Sequence, residues 1–195
     1  MIVESRNTIM NIFDLSQQHT EVYVIPIFTD LYKHPNENTL SCIYIASKAQ
    51  DFIIPINHPD SEIQFTLEQA EGILSKFSYI YVNDKKEFLH AFKWNKQRSR
   101  KIIDLNMAGW FLSNKPTDIS QITTTAHDFI ERRHSNLPRV NTVIPLYKHL
   151  EKCRSIKDIT YKQYVTQDKQ QAVSYTKYNE DMLYILYGIE QAGIY

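Results

Sequence analysis

Glu21-Val-Tyr-Val-Ile-Pro-Ile-Phe28 is the stretch on which the fold turns. Its residues are almost all β-branched or aromatic, with no alternating polar position. That composition predicts a strand buried on both faces rather than one lying on a half-solvated sheet. Pro26 has no amide hydrogen and marks an edge position or a bulge within the strand. On its C-terminal side the polar His34-Pro-Asn-Glu-Asn38 reads as a turn. Leu40 to Ala46 then reads as a second strand and Phe52 to Ile56 as a third, which together predict an antiparallel meander.

The elements beyond the meander alternate. Thr66 is placed to cap a helix, with Gln69 at the capping-box position and Leu67, Ala70, Ile73, Leu74 and Phe77 on its apolar face. Tyr79 to Val82 reads as a short strand, Lys85 to Trp94 as a helix with Phe88, Leu89 and Phe92 inward, and Lys101 to Asp104 as a fifth strand. Helical patterns follow at Leu105 to Leu112, Thr124 to Arg133, Thr142 to Lys152, Tyr161 to Lys177 and Glu180 to Gln191. The order predicts an α/β domain with a mixed five-stranded sheet flanked by helices.

Composition narrows the classes of function. The chain has 195 residues, enough for one main core, with 43% hydrophobic and 23% charged residues. Lys+Arg and Asp+Glu balance at 22 each, so any contact with nucleic acid must come from a local patch. Four glycines leave no phosphate-cradling loop, and no serine or cysteine stands in a nucleophile-elbow setting. Cys42 and Cys153 lie far apart in sequence and read as free, buried thiols. The seven histidines contain no i,i+4 pair and no His-Glu-x-x-His pattern, so the sequence offers no zinc hydrolase. The N-terminal residues hold no signal-peptide apolar run and no segment is long enough to span a bilayer. The expectation is a soluble, intracellular, cytoplasmic protein without membrane contact, in the host cytoplasm if viral.

Five local patterns, taken in chain order, resemble one family. Tyr23 to His58 looks like its opening strands. Tyr81-Val-Asn-Asp-Lys-Lys-Glu-Phe-Leu89 resembles its second motif region, and Ile102-Ile-Asp-Leu-Asn-Met-Ala-Gly-Trp-Phe-Leu-Ser-Asn114 its strand-then-helix segment. Tyr164-Val-Thr-Gln-Asp168 resembles its third motif, and the run Asn179 to Ile194 resembles the lead into a following domain. The family is the 3′–5′ exonuclease-like domain of family A DNA polymerases, including those of phages and viruses. The resemblance implies a ribonuclease-H-like exonuclease fold. It divides the chain into an N-terminal extension (1–20), an exonuclease-like domain (21–178) and the start of a connection to a polymerase domain (179–195).

An active member needs four carboxylates around two divalent ions, Mg²⁺ or Mn²⁺. By the resemblance, the catalytic set is Asp30, Asp84 or Glu87, Tyr164 and Asp168, with Asp30 and Asp168 as metal ligands. The first motif should bring two acids, but only Asp30 is present, and Tyr32 or Phe28 stands where the second belongs. The implied consequence is that exonuclease activity is absent or very weak. Local readings stand beside these assignments. Asp30 suits a turn and Asp84 a helix N-cap with Glu87 completing the box. Asp104 reads as structural, although it or Asp118 could replace the missing acid.

One basic stretch, containing Lys85, Lys86, Lys93, Lys96, Arg98, Arg100 and Lys101 with Trp94 among them, reads either as a solvated loop or as a DNA contact with aromatic stacking. The helix Glu180 to Gln191 has an apolar face that needs a cover. By the resemblance that cover is a polymerase domain, in cis or on a separate chain. Three functions follow. One is an inactive or weakly active exonuclease-like domain with a structural or DNA-contacting role in replication. The others are a working metal-dependent proofreading exonuclease and a non-enzymatic protein-interaction domain.

Overall fold

The computed structural model describes residues 1–3, 6–30, 33–48, 50–99, 101–107, 143–158, 174, 177 and 179–194. Helix α1 (Arg6–Gln18) precedes β1 (Glu21–Phe28), a 3₁₀ turn at Pro35–Glu37, β2 (Leu40–Ala46) and β3 (Asp51–Pro55). Then come α2 (Leu67–Leu74), β4 (Tyr79–Val82), α3 (Lys85–Phe92), the short α4 (Lys96–Ser99) and β5 (Ile102–Asp104). Residues 105–107 and 146–158 are helical; the latter are α5, and α6 is Glu180–Gln191.

The strands form one sheet in the order β3-β2-β1-β4-β5. β1, β2 and β3 make the expected antiparallel meander, while β1, β4 and β5 are parallel, so the sheet is mixed with β1 at its centre. Alternation along β1 explains its unbroken apolar run. Val22 and Val24 join the core on the side of α1, α2 and α3, whereas Tyr23, Ile25 and Ile27 pack with Leu146, Leu150 and Cys153 of α5 on the other side. Both sides of β1 are dry, which removes any place for a polar residue. Pro26 pairs with Ile43 of β2 beyond Val24, where pairing with β4 ends, and a register shift follows at Ile27/Phe28. Its missing amide therefore breaks no ladder bond to β4.

Boundaries moved where local chemistry is strong. The Thr66 capping box forms as expected, and α3 stops at Phe92 because Lys93 takes the left-handed conformation with φ 52°. α5 starts at residue 146, after Pro145, since the residue before a proline is driven out of helical geometry. The first residues join the core. Val3, Ile12 and Leu15 are buried, Ile2 bridges Ile53 of the edge strand β3, and Val3 donates its amide to the Ile53 carbonyl at 3.0 Å. The helices expected at Thr124–Arg133 and over most of Tyr161–Lys177, and the end of Leu105–Leu112, lie outside the described residues. No helix among the described residues is long and apolar enough to cross a membrane.

Candidate functional site

Because β1, β4 and β5 are parallel, their carboxyl ends open on one edge of the sheet, the edge where open α/β sheets bind ligands. β1 brings Ile25, Pro26, Ile27 and Phe28 to this edge, all buried and apolar. Asp30 comes two residues after the strand, in a turn organised by Asn38. Its amide donates to Asn38 Oδ1 at 3.1 Å, its carbonyl accepts from Asn38 Nδ2, and the Thr29 hydroxyl donates to the same Oδ1 at 3.1 Å. The turn-forming reading of Asp30 describes this backbone well.

β4 ends in a denser polar group. The Tyr23 hydroxyl donates to Asn83 Oδ1 at 2.7 Å, inside the core, and the Asn106 amide donates to the Asn83 carbonyl at 3.2 Å. Asp84 is the N-cap of α3: its Oδ1 accepts from the amides of Lys86 (2.8 Å) and Glu87 (3.1 Å). Lys85 is fully buried, and its Nζ donates to the Ile102 carbonyl at 3.3 Å. Asp104, at the end of β5, accepts from the Lys85 amide through Oδ2 and from the Met107 amide through Oδ1, each at 2.8 Å. It thus holds the first turn of α3 and of the helical residues that follow β5.

Electrostatics separates these acids. Burial, then the charge of Asp84, pushes the half-buried Glu87 up to about 8, so it is a neutral acid at pH 7. Burial and Asp84 also raise Asp104 above the carboxylate range, against the backbone donors and Lys85 that pull it down. A neutral acid beside a carboxylate can hand over a proton. A Mg²⁺ centre needs carboxylate oxygens free to coordinate. Among the described residues both Asp104 oxygens face backbone amides, Asp84 caps a helix, and β1 ends in apolar residues with Asp30 as the one acid in the turn beyond it. This set does not fit a two-metal site. Tyr164 and Asp168, with Tyr32 and Asp118, lie outside the described residues.

Two members of the basic stretch are withdrawn from solvent. Lys85 is buried, and Trp94 is 2% exposed, packed edge-on against Phe88. A stacking role for Trp94 is thereby corrected to a core role, with Arg98 and Lys101 over its ring. Lys101 Nζ donates to the carbonyls of Leu74, Ser75 and Phe77 at 3.0–3.1 Å, closing the C-terminus of α2. Burial and Arg98 bring its pKa down to about 8. Arg98 pairs with Glu71 at 2.9 Å, Lys96 with Asp181 at 2.6 Å, and Lys86 with Glu190. Lys93 is exposed, and Arg100 is outside the described residues.

Sequence spacing missed one constellation altogether. His34 before the 3₁₀ turn, His90 of α3 and Glu190 of α6 present nitrogens and a carboxylate oxygen within 4.8 Å of one another. They are separated by 56 and 100 positions in the chain, so no motif could report them.

No protein-family model matches the chain, and no curated protein sequence matches it. Among solved structures the chain is similar to Escherichia coli RNase D, an exoribonuclease involved in structured RNA processing. The identity is 10% and the TM-score 0.52, over 98% of this chain and 50% of that one. This chain thus spans half the length of that enzyme. It also aligns with Brucella melitensis NrnC with bound Mg²⁺, at 15% identity and TM-score 0.49 over 89% of each chain. Aedes aegypti Nibbler EXO domain aligns at 13% identity and TM-score 0.44, over 95% of this chain and 94% of that one. The likeness to RNase D carries the fold: a mixed five-stranded sheet flanked by helices, of the ribonuclease-H-like exonuclease type.

Proposed function

We propose that this chain is a catalytically silent 3′–5′ exonuclease-like domain whose role is structural, in contact with a larger nucleic-acid-processing machine. One observation carries the reading: the carboxyl-end acids Asp84 and Asp104 hold helix starts in place while β1 ends in Ile25, Pro26, Ile27 and Phe28. A chain that kept exonuclease chemistry would need free carboxylates there. The finer assignment, service to a family A DNA polymerase of phage or viral type, rests on the resemblance at Tyr164–Asp168 and Asn179–Ile194. The protein-interaction reading draws support from α6, whose Met182, Ile185, Leu186 and Ile189 are exposed.

The test is release of label from 3′-labelled single-stranded DNA and RNA with Mg²⁺ or Mn²⁺, with Asp168→Ala as control. The reading predicts no release from either strand at any metal concentration. Metal-dependent release lost in Asp168→Ala would overturn it and install the proofreading alternative.

A further inference from the structure

Beyond the nuclease question, the underside of α6 carries chemistry of its own. Glu190 points inward at the junction of three elements. Its Oε2 lies 2.7 Å from His90 Nε2 and 4.0 Å from His34 Nε2, and its Oε1 accepts from Lys86 Nζ. The side chains of His90, His34 and Glu190 are 1%, 13% and 14% exposed, so the group is largely shut from water. The two imidazole rings stand 5.1 Å apart and nearly perpendicular, at 81°, and both Nε2 atoms lie within 4.0 Å of the same carboxylate oxygen.

We propose that His34, His90 and Glu190 bind a divalent transition-metal ion of the zinc class, which staples α6 to α3 and to the turn after β1. Two imidazoles and one carboxylate are a ligand set zinc accepts with a fourth position open, and a poor one for Mg²⁺. Zinc bonds of about 2.0–2.1 Å set ligand atoms about 3.3 Å apart. The observed 2.7 and 4.0 Å lie within about 1 Å of that spacing on either side.

Without metal, Lys86 and His90 hydrogen-bond Glu190, with His34 Nε2 4.0 Å away. The Asn36 backbone amide donates to His34 Nδ1 at 3.2 Å, which leaves that ring's proton on Nε2, and the His90 ring proton is taken on Nε2, facing Glu190 Oε2 at 2.7 Å, with the Gln191 side-chain amide 3.0 Å from Nδ1. Coordination moves each proton from Nε2 to Nδ1. On His90 the new N–H meets the Gln191 amide turned to present its oxygen, the usual outer partner of a metal-bound histidine. On His34 it displaces the long contact from Asn36. Lys86, 28% exposed, swings out to solvent, so the ammonium and the metal ion compete for Glu190.

The competition makes the test decisive. Chelator-treated full-length chain is titrated with Zn²⁺ by calorimetry, and with Co²⁺ in the visible range. One ion per chain is expected, with the intense bands of four-coordinate cobalt. Binding should weaken at least tenfold in His34→Gln and tighten several-fold in Lys86→Met, because removing the ammonium leaves Glu190 to the metal. Thermal melts without metal check that both variants fold. Absence of Zn²⁺ binding, or binding unchanged in both His34→Gln and Lys86→Met, would overturn the proposal. Neither result depends on whether the chain degrades nucleic acid.

Discussion

Glu87 and Asp51 are carboxylates that the fold drives in opposite directions, and each leaves its own signature in stability against pH. Glu87 stands at about 8 in the folded chain against an ordinary 4.5. The folded state keeps a proton that the unfolded chain releases, so stability is full below about 4.5 and falls as pH rises toward about 8. Glu87→Gln should therefore be near neutral at pH 4 and stabilising at pH 9, on the order of 2 kcal/mol after allowing for partial exposure. Urea unfolding at the two pH values checks it. Asp51 runs the other way. Arg154 meets it with two bonds of 2.5 and 2.8 Å, and hydrogen bonding to that guanidinium, against burial and with help from the N-terminal ammonium, lowers it to about 2. Its contribution is present above about 3.8 and lost as pH falls through about 2. Because Arg154 is half exposed, Arg154→Ala should cost only about 1 kcal/mol at pH 7, and little at pH 2.

At the scale of elements, the chain reads clearly where pattern alone decides and poorly where tertiary contact does. β1 and β2 were legible to the residue, because their apolar runs are bounded by the His34–Asn38 turn and by Ser47. The Thr66 cap and Asp84 cap were legible too, since each is a local bond across three residues. α1 was not read, although Ile9, Ile12, Phe13 and Leu15 recur at helical spacing, because its polar residues hid the pattern. The same limit applies to the site. Asp84 announces a cap from sequence, whereas Asp104 receiving the Lys85 amide across 19 residues, and His34 meeting His90 and Glu190, exist only once β4, β5 and α6 are assembled. Trp94 is the sharpest case. Among lysines and arginines it resembles a stacking platform, but the chain turns at Lys93 and drives the indole into the core. Trp94→Ala should cost about 3–5 kcal/mol of stability and leave affinity for single-stranded DNA unchanged. Chemical denaturation and fluorescence anisotropy together separate this from a lost stacking contact, which would weaken binding while sparing the fold.

For the whole molecule, a balanced 22 and 22 charges and basic residues tied to Glu71, Asp181 and Glu190 describe a domain that does not draw polyanions by its overall field. The fold is of the ribonuclease-H-like exonuclease type, and at its sheet edge Asp84 and Asp104 hold helix starts while Lys85 is buried. That the acids at this edge serve structure and not metal chemistry is the central claim of the proposed function. Carboxylate-detected NMR of Asp84, Glu87 and Asp104, titrated in pH and then with millimolar Mg²⁺, tests it most directly. The account predicts that Glu87 titrates near 8 and that Mg²⁺ leaves all three resonances in place. An ordinary Glu87 titration, or Mg²⁺ shifts shared by these carboxylates, would contradict it.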